Sequence, residues 1–269
     1  VPEGDAVRRT GDRLDRALAG QVLTASDLRV PALATTDLTG ALVERTHTHG
    51  KHLLTRVVPT SGPPLTLHTH LKMEGSWRVA AAGERRPGPA ADARVILTTA
   101  RVVAVGLRLG LVELLPTAEE HTVIGHLGPD LLGPWTDQDR SEAVARLVAD
   151  PDRVLGEALL DQRVVAGIGT IWLAESCFVA GVCPIGPVAQ VADPARFLHR
   201  ARTMLQSAML TGRPVTTGDR RDPVWVYRRH RQPCKRCGTT LVSGQVGVAP
   251  RERTTYWCPR CQPAPPDRT

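Results

Sequence analysis

Short apolar runs rich in Val, Leu and Thr alternate with polar residues through the first half of the chain. They fall at 21–30, 40–46, 52–58, 65–70, 77–80, 93–97, 101–105 and 112–115, with Gly and Pro clusters between them. Short, turn-punctuated runs of this kind predict antiparallel strands packed as a sandwich. The segment 81–92, AAGERRPGPAAD, is expected to be a surface loop. Ahead of the strands, Ala6, Val7, Leu14, Ala17 and Leu18 recur among Arg and Asp, which predicts an amphipathic helix over 6–19 that stops at Gly20. After Pro116 the pattern turns helical. A turn region at 126–133 precedes helices predicted at 141–149, 153–160, 169–181 and 194–210, each bounded by Asp, Pro or Gly. An irregular basic linker occupies 212–233, and the tail 262–269 is expected to be disordered.

The fold class that follows is α+β and multidomain. A β-sandwich with a leading helix is expected over 2–116, a helical domain over 126–226 and a small module over 227–263, with 264–269 as the tail. A chain of 269 residues has room for about two domains plus such a module.

Charge narrows the partner. The formal net charge is +7, and much of the excess lies in 199–236 among Arg200, Arg202, Arg213, Arg220, Arg221 and their neighbours. A concentrated basic stretch favours a phosphate-binding face over a merely solvated one. Only two Phe and two Tyr occur, which argues against a stacking platform for single strands. No signal-peptide pattern and no apolar run of membrane-spanning length is present, so no membrane partner is expected.

The C-terminal cysteines carry chemistry. Cys234, Cys237, Cys258 and Cys261 form two C-x2-C pairs separated by the twenty residues 238–257. Four thiolates at that spacing can close on one tetrahedral Zn²⁺ per chain. Such bonds supply folding energy that a short segment cannot draw from apolar burial. Lys235, Arg236, Arg251, Arg253 and Arg260 make the hairpin basic, which suits a nucleic-acid contact; a ribbon that only ties down the tail is the plainer alternative. Cys177 and Cys183 lie in an apolar stretch and are expected to be buried thiols, in keeping with a reducing, cytoplasmic compartment. Two H-x-H pairs, His47/His49 and His68/His70, have no accompanying carboxylate pattern and do not read as a metal site.

Three separated motifs carry a resemblance. The chain begins Val1-Pro2-Glu3-Gly4-Asp5, has Leu159-Leu160-Asp161-Gln162-Arg163-Val164-Val165-Ala166-Gly167-Ile168-Gly169 in the middle, and near its end has Arg253-Thr254-Thr255-Tyr256-Trp257-Cys258-Pro259-Arg260-Cys261-Gln262. Together they resemble the bacterial formamidopyrimidine-DNA glycosylase/endonuclease VIII family over nearly the whole chain. The PEGD start and the segment Thr216-Thr217-Gly218-Asp219 look more like the endonuclease VIII branch, in an actinobacterial form. The resemblance implies a β-sandwich, a helix–two-turn–helix domain and a zinc finger. It also implies a monomeric DNA glycosylase/AP lyase acting on duplex DNA that carries oxidised bases or abasic sites.

The family's roles map onto this sequence as follows. Pro2 matches the N-terminal proline whose amine forms a Schiff base with the damaged nucleoside, and Glu3 the acid/base carboxylate beside it. An amine of that kind titrates near 7.7–8.0, so a usable fraction is neutral at cellular pH. A proline nitrogen inside a peptide bond is not nucleophilic. The expectation is therefore that Val1 is a GTG-encoded initiator, read as methionine and removed. Lys51 matches the β-domain lysine that binds phosphate and donates a proton in β-elimination. Arg253 matches the finger arginine with the corresponding role in δ-elimination. Met73 matches the residue that fills the gap left by an extruded base. Arg108 and Leu109 stand where the family has a second, Arg-and-aromatic wedge. Gly169 and Thr170, where Asn is usual, match the phosphate-binding helix end. Tyr227 matches a VYGR segment in which Arg228 replaces Gly. Only Arg220 to Val226 lies between Asp219 and Tyr227. That is too short for the Gly-rich loop typical of the 8-oxoguanine branch and favours oxidised pyrimidines. The rival class is a non-catalytic binder of damaged or abasic DNA.

Overall fold

The computed structural model describes residues 2–250 and 252–264. Val1 and residues 265–269 of the expected tail lie outside them; Gln262, expected to begin a disordered tail, is instead buried, accepting from Cys258 N at 3.0 Å and donating to Val182 O at 2.8 Å. The chain divides into two compact units. The first holds Pro2 and Ala6–His126; the second holds Glu3–Asp5 and the chain from Leu127 onward. The sequence reading grouped residues 3–5 with the β module and gave 227–263 a module of its own. In the folded chain both segments belong to the helical unit.

The first unit carries most of helix α1 (Gly4–Leu18) and eight strands. These are β1 (Leu23–Leu28), β2 (Leu42–His49), β3 (His52–Val58), β4 (Leu65–His70), β5 (Ser76–Ala81), β6 (Ala93–Thr99), β7 (Val102–Leu107) and β8 (Leu111–Pro116). They pair antiparallel as two four-stranded sheets, β2-β3-β4-β8 and β1-β6-β7-β5. All eight expected strands form; β2 runs three residues further than its pattern suggests. Inward residues of both sheets, among them Val43, Leu53, Leu67, Trp77, Val95 and Leu97, share one core with Val7, Leu14 and Leu18 of α1. Val7, Leu14 and Leu18 are spaced by seven and four, so they line one helix face while the Arg and Asp residues face away. The chain leaves α1 through Gly20 at φ +74°, a left-handed conformation that glycine adopts without strain. A short helix α2 (Glu120–Ile124) was not foreseen. Its Glu120 is buried and accepts from Arg56 Nε at 2.8 Å, Arg56 Nη2 at 2.6 Å and Thr66 Oγ1 at 2.6 Å, a bidentate pair that ties α2 to β3 and β4.

The second unit packs α3 (Asp137–Val148), α4 (Leu155–Leu160), α5 (Thr170–Ala180) and α6 (Pro194–Thr211), and ends in the hairpin β9 (Val242–Val246) and β10 (Arg253–Trp257). The Thr136/Asp139 capping box starts α3, and Asp193 followed by Pro194 starts α6. Leu147, Leu155, Leu159, Ile168, Trp172, Leu173, Leu198 and Leu205 form its core. Helix α5 is apolar nearly all round because its opposite side meets a second cluster, in which Ala174 and Phe178 pack with Val226, Leu241 and the cysteines Cys234 and Cys258. Cys177 and Cys183 are free and buried, and burial pushes both thiols up. No helix of the described residues is long and apolar enough to cross a membrane.

Candidate functional site

The N-terminal segment is fastened to the start of α5. Gln162 prepares the ground: its Nε2 donates to the carbonyls of Leu160 (2.9 Å) and Ile168 (3.0 Å), and its Oε1 accepts from Gly167 N at 3.0 Å. One side chain thus fixes the turn that precedes α5. Gly4 N then donates to Gly167 O at 2.9 Å. A Cβ on Gly4 would lie 2.8 Å from Gly167 Cα, so the backbones meet this closely because Gly4 lacks a side chain; Gly167 is suited to glycine by its φ of +108°.

Glu3 occupies the helix end itself. Ile171 N donates to Oε1 at 2.8 Å, Trp172 N to Oε2 at 3.2 Å, and Thr170 Oγ1 to Oε1 at 3.4 Å. The first amides of a helix have no partner within the helix and carry the positive end of its dipole, so a carboxylate is stabilised there. A Cβ on Gly169 would sit 2.3 Å from Glu3 Cδ; glycine at that position makes room for the acid. The sequence reading placed a DNA phosphate at this helix end. The anion found there is the chain's own, and the Thr170 hydroxyl is turned to it. Asp5 completes the arrangement, accepting from the Trp172 indole Nε1 at 2.9 Å. Glu3 and Asp5 are only 2% and 3% exposed.

In the β unit, Lys51 follows Gly50 (φ +55°) in the turn between β2 and β3 and is half-buried. A row of histidines lies beneath it on β3 and β4. His52 Nδ1 is 2.8 Å from His68 Nε2, and His68 Nδ1 is 3.1 Å from Glu113 Oε2 on β8. With the imidazoles neutral, the carboxylate can only accept, so His68 Nδ1 donates and its Nε2 accepts from His52 Nδ1–H. His70 Nδ1 accepts from Lys72 N at 2.8 Å, which leaves the proton of the neutral ring on Nε2. Burial, then the neighbouring histidines, pushes His52 down to about 3. Burial, then Lys72 and Lys51, pushes His70 to about 4, and burial also lowers His68 against the pull of Glu113. Near neutral pH the row is uncharged beside two lysines.

The two wedge positions separate. Met73, between β4 and β5, is 60% exposed. Leu109 is 7% exposed and belongs to the sandwich core, with Cδ1 against the Gly106 backbone beside Trp77. A buried leucine cannot enter DNA, so its expected wedge role is corrected to a packing role. The reason is local: Gly106 removes the side chain that would have kept Leu109 out. Arg108 adopts φ +47° and pairs with Asp92 at 2.9 Å and Glu74 at 3.7 Å.

The four cysteine Sγ atoms lie within 4.8 Å of one another, with Cys234–Cys261 at 3.9 Å and Cys237–Cys258 at 3.5 Å. Zn–S bonds of about 2.3 Å in a tetrahedron put sulfurs about 3.8 Å apart, so the residues fit the metal. Arg236 N and Cys261 N each donate to a cysteine sulfur at 3.4 Å. Among the described residues this is the one cluster that could hold a metal ion. Arg253 opens β10 on an exposed position, its Nη1 donating to Glu252 O at 3.0 Å. Tyr227 meets Tyr256 edge-on at 5.7 Å. Arg228 takes φ +57°, the conformation a glycine would supply, and lays its guanidinium 5.4 Å from the Tyr227 ring centroid.

Sequence reasoning missed Glu175. It is fully buried in α5 and accepts from Trp225 N (2.8 Å), Val226 N (2.9 Å), Tyr227 N (2.9 Å) and the Thr216 hydroxyl. The signal was available: it is the one charged residue in the apolar run 170–180. Asp5, Gln162 and Glu113 were missed as well. Asp5 and Glu113 act on residues distant in sequence, which no local pattern marks, whereas Gln162 acts within six residues, on the turn it precedes.

A two-sheet unit followed by a helical unit that ends in a four-cysteine hairpin is a DNA-glycosylase architecture. The fold is similar to that of Lactococcus lactis Fpg (MutM) in a complex with N7-benzyl-Fapy-dG DNA, with a TM-score of 0.77 at 24% identity over 97% of this chain and 100% of that one. The chain belongs to the formamidopyrimidine-DNA glycosylase/endonuclease VIII family. A family model described as formamidopyrimidine-DNA glycosylase N-terminal domain matches residues 1–110. "Probable endonuclease 8 2" of Streptomyces coelicolor is 52% identical over all of this chain and 96% of that protein. "DNA-(apurinic or apyrimidinic site) lyase Nei2" of Mycolicibacterium smegmatis is 45% identical over 98% of this chain and 100% of that protein. "Formamidopyrimidine-DNA glycosylase" of Rhodopseudomonas palustris is 31% identical over 97% and 99%. Identity is thus greater to these endonuclease 8 and lyase relatives than to that glycosylase.

Proposed function

We propose that the chain is a bifunctional DNA glycosylase/AP lyase that removes oxidised bases, pyrimidines foremost, from duplex DNA. The observation that carries this is the buried Glu3 carboxylate, held by two backbone amides at the α5 N-terminus and joined by one peptide bond to Pro2. That anchoring leaves little freedom for the residue bearing the nucleophile. With residue 1 removed, the free Pro2 nitrogen attacks C1′; the N–C1′ bond forms as the glycosidic bond breaks, and the base leaves with a proton. Glu3 moves that proton or one at the sugar oxygen. The C1′–O4′ bond then breaks as O4′ takes a proton, which opens the sugar to an iminium on Pro2 and acidifies C2′. Loss of its proton expels the 3′ phosphate, and a second elimination expels the 5′ phosphate. Lys51 and Arg253 bind phosphates and serve these two steps, and Met73 fills the gap in the stack. Arg108 and Tyr227 stand as further DNA-contact positions, while Gly169 and Thr170 serve by seating Glu3.

Cys234, Cys237, Cys258 and Cys261 would hold one Zn²⁺. Bound there it supplies structure alone, since four thiolates leave no open coordination position. The enzyme acts as a monomer in the bacterial cytoplasm. Borohydride trapping tests the reading: wild-type protein with a free Pro2 joins covalently to a thymine-glycol or abasic duplex, and Pro2→Ala loses most of the adduct. Wild-type protein that forms no reducible adduct and leaves an abasic duplex uncut is a binder, and the proposal fails.

A further inference from the structure

We propose that Asp5 is a positioning residue for the Pro2 nucleophile, acting through its buried hydrogen bond to the Trp172 indole. The inference rests on the glycosylase/AP lyase reading above. Three successive residues, Glu3, Gly4 and Asp5, are each tied to α5 or to the turn before it. Trp172 holds two of them at once: its backbone N–H donates to Glu3 Oε2 at 3.2 Å and its indole N–H to Asp5 Oδ1 at 2.9 Å. Trp172 is fully buried and Asp5 only 3% exposed, so neither group exchanges this partner for bulk water. Side chain and backbone of one residue therefore set the direction of the segment. Beyond the fixed Glu3 Cα, the planar peptide leaves two soft dihedrals before the Pro2 nitrogen.

A blander role is open to Asp5, since it lies in the first turn of α1, where any acid favours the helix. That role needs the charge and has no use for Trp172. The clamp needs an acceptor oxygen and an indole donor, and it has no use for the charge as such.

The test uses full-length protein with a free Pro2 and compares Asp5→Ala, Asp5→Asn, Trp172→Phe and the Asp5→Ala/Trp172→Phe double variant. Two quantities are read: the single-turnover rate of borohydride-trappable adduct on an abasic duplex, and equilibrium binding to a duplex with an uncleavable tetrahydrofuran site. Displacing a reacting group by about 1 Å costs on the order of 10²-fold, so Asp5→Ala and Trp172→Phe should each slow trapping by about that factor while binding changes by no more than about threefold. The double variant should be no slower than the singles, because both remove one bond. Asp5→Asn should retain most of the rate. If Asp5→Ala does not fold, Trp172→Phe and Asp5→Asn carry the same distinction. Unchanged trapping in Trp172→Phe overturns the proposal, as does binding that falls in step with trapping, or Asp5→Asn as slow as Asp5→Ala. Wild-type protein that never traps rejects the glycosylase reading instead.

Discussion

The acids around α5 and the histidine row of the β unit are held in opposite ways. In the helical unit the buried acids Glu3, Asp5 and Glu175 are surrounded by N–H donors, most of them backbone amides at a helix end or along one loop. In the β unit a row of imidazoles packs against itself beside Lys51 and Lys72 and stays uncharged near neutral pH, while the buried acid Glu120 is met by the charged Arg56 and a threonine hydroxyl. An acid surrounded by fixed donors becomes a rigid anchor. Histidines surrounded by cations and by each other become a neutral platform under the turn that carries Lys51. The first arrangement fixes where a group is; the second governs how much positive charge accumulates near it.

The helical side of the contrast can be broken most sharply at Glu3. Glu3→Gln places an amide NH2 against donors, so both the acid and its fit are lost; single-turnover excision of thymine glycol should fall by about 10³-fold, within the range usual for a general acid or base. Full activity in Glu3→Gln would reduce the carboxylate to a helix cap. Glu175→Leu should leave the amides of 225–227 without their acceptor and cost on the order of 3 kcal/mol, read as a lower urea midpoint for the helical unit. An unchanged midpoint would mean that water replaces the carboxylate.

The β side should answer to pH, with a smaller effect. His52 and His70 titrate in the folded protein at about 3 and about 4 against an ordinary 6.5. Above pH 6.5 they are neutral in both states and their contribution is complete. As pH falls below 6.5 the unfolded chain takes up protons first, so stability is lost progressively towards pH 4. Urea midpoints of the β unit should drop between pH 7 and pH 5, and His52→Phe should flatten that slope. The same slope in the variant would remove His52 from the account.

Periodicity and motifs made most of the architecture legible. Alternation over 52–58 and 65–70 marked β3 and β4 because strand faces alternate whatever the partner strand is. The C-x2-C pairs announced the four-cysteine cluster, which could hold a metal ion, because each pair's spacing is local. The glycines of 167–169 pointed to a helix end that binds an anion. Which anion it was lay beyond the sequence: amides at a helix end attract phosphate and carboxylate alike. Only the fold brings Glu3 across the 168 positions that separate it from Ile171.

Sequence by itself determined the strands, the main helices and the cysteine pairs, since these depend on spacing along the chain; the candidate Pro2-Glu3 chemistry came from the resemblance of three motifs to a family. Tertiary structure decided that Leu109 packs inside while Met73 stays out, that Glu175 gathers the 225–227 amides, that Glu113 closes the histidine row, and that Asp5 meets Trp172. Burial and hydrogen-bond partnership depend on which surfaces meet, and residues remote in sequence supply them.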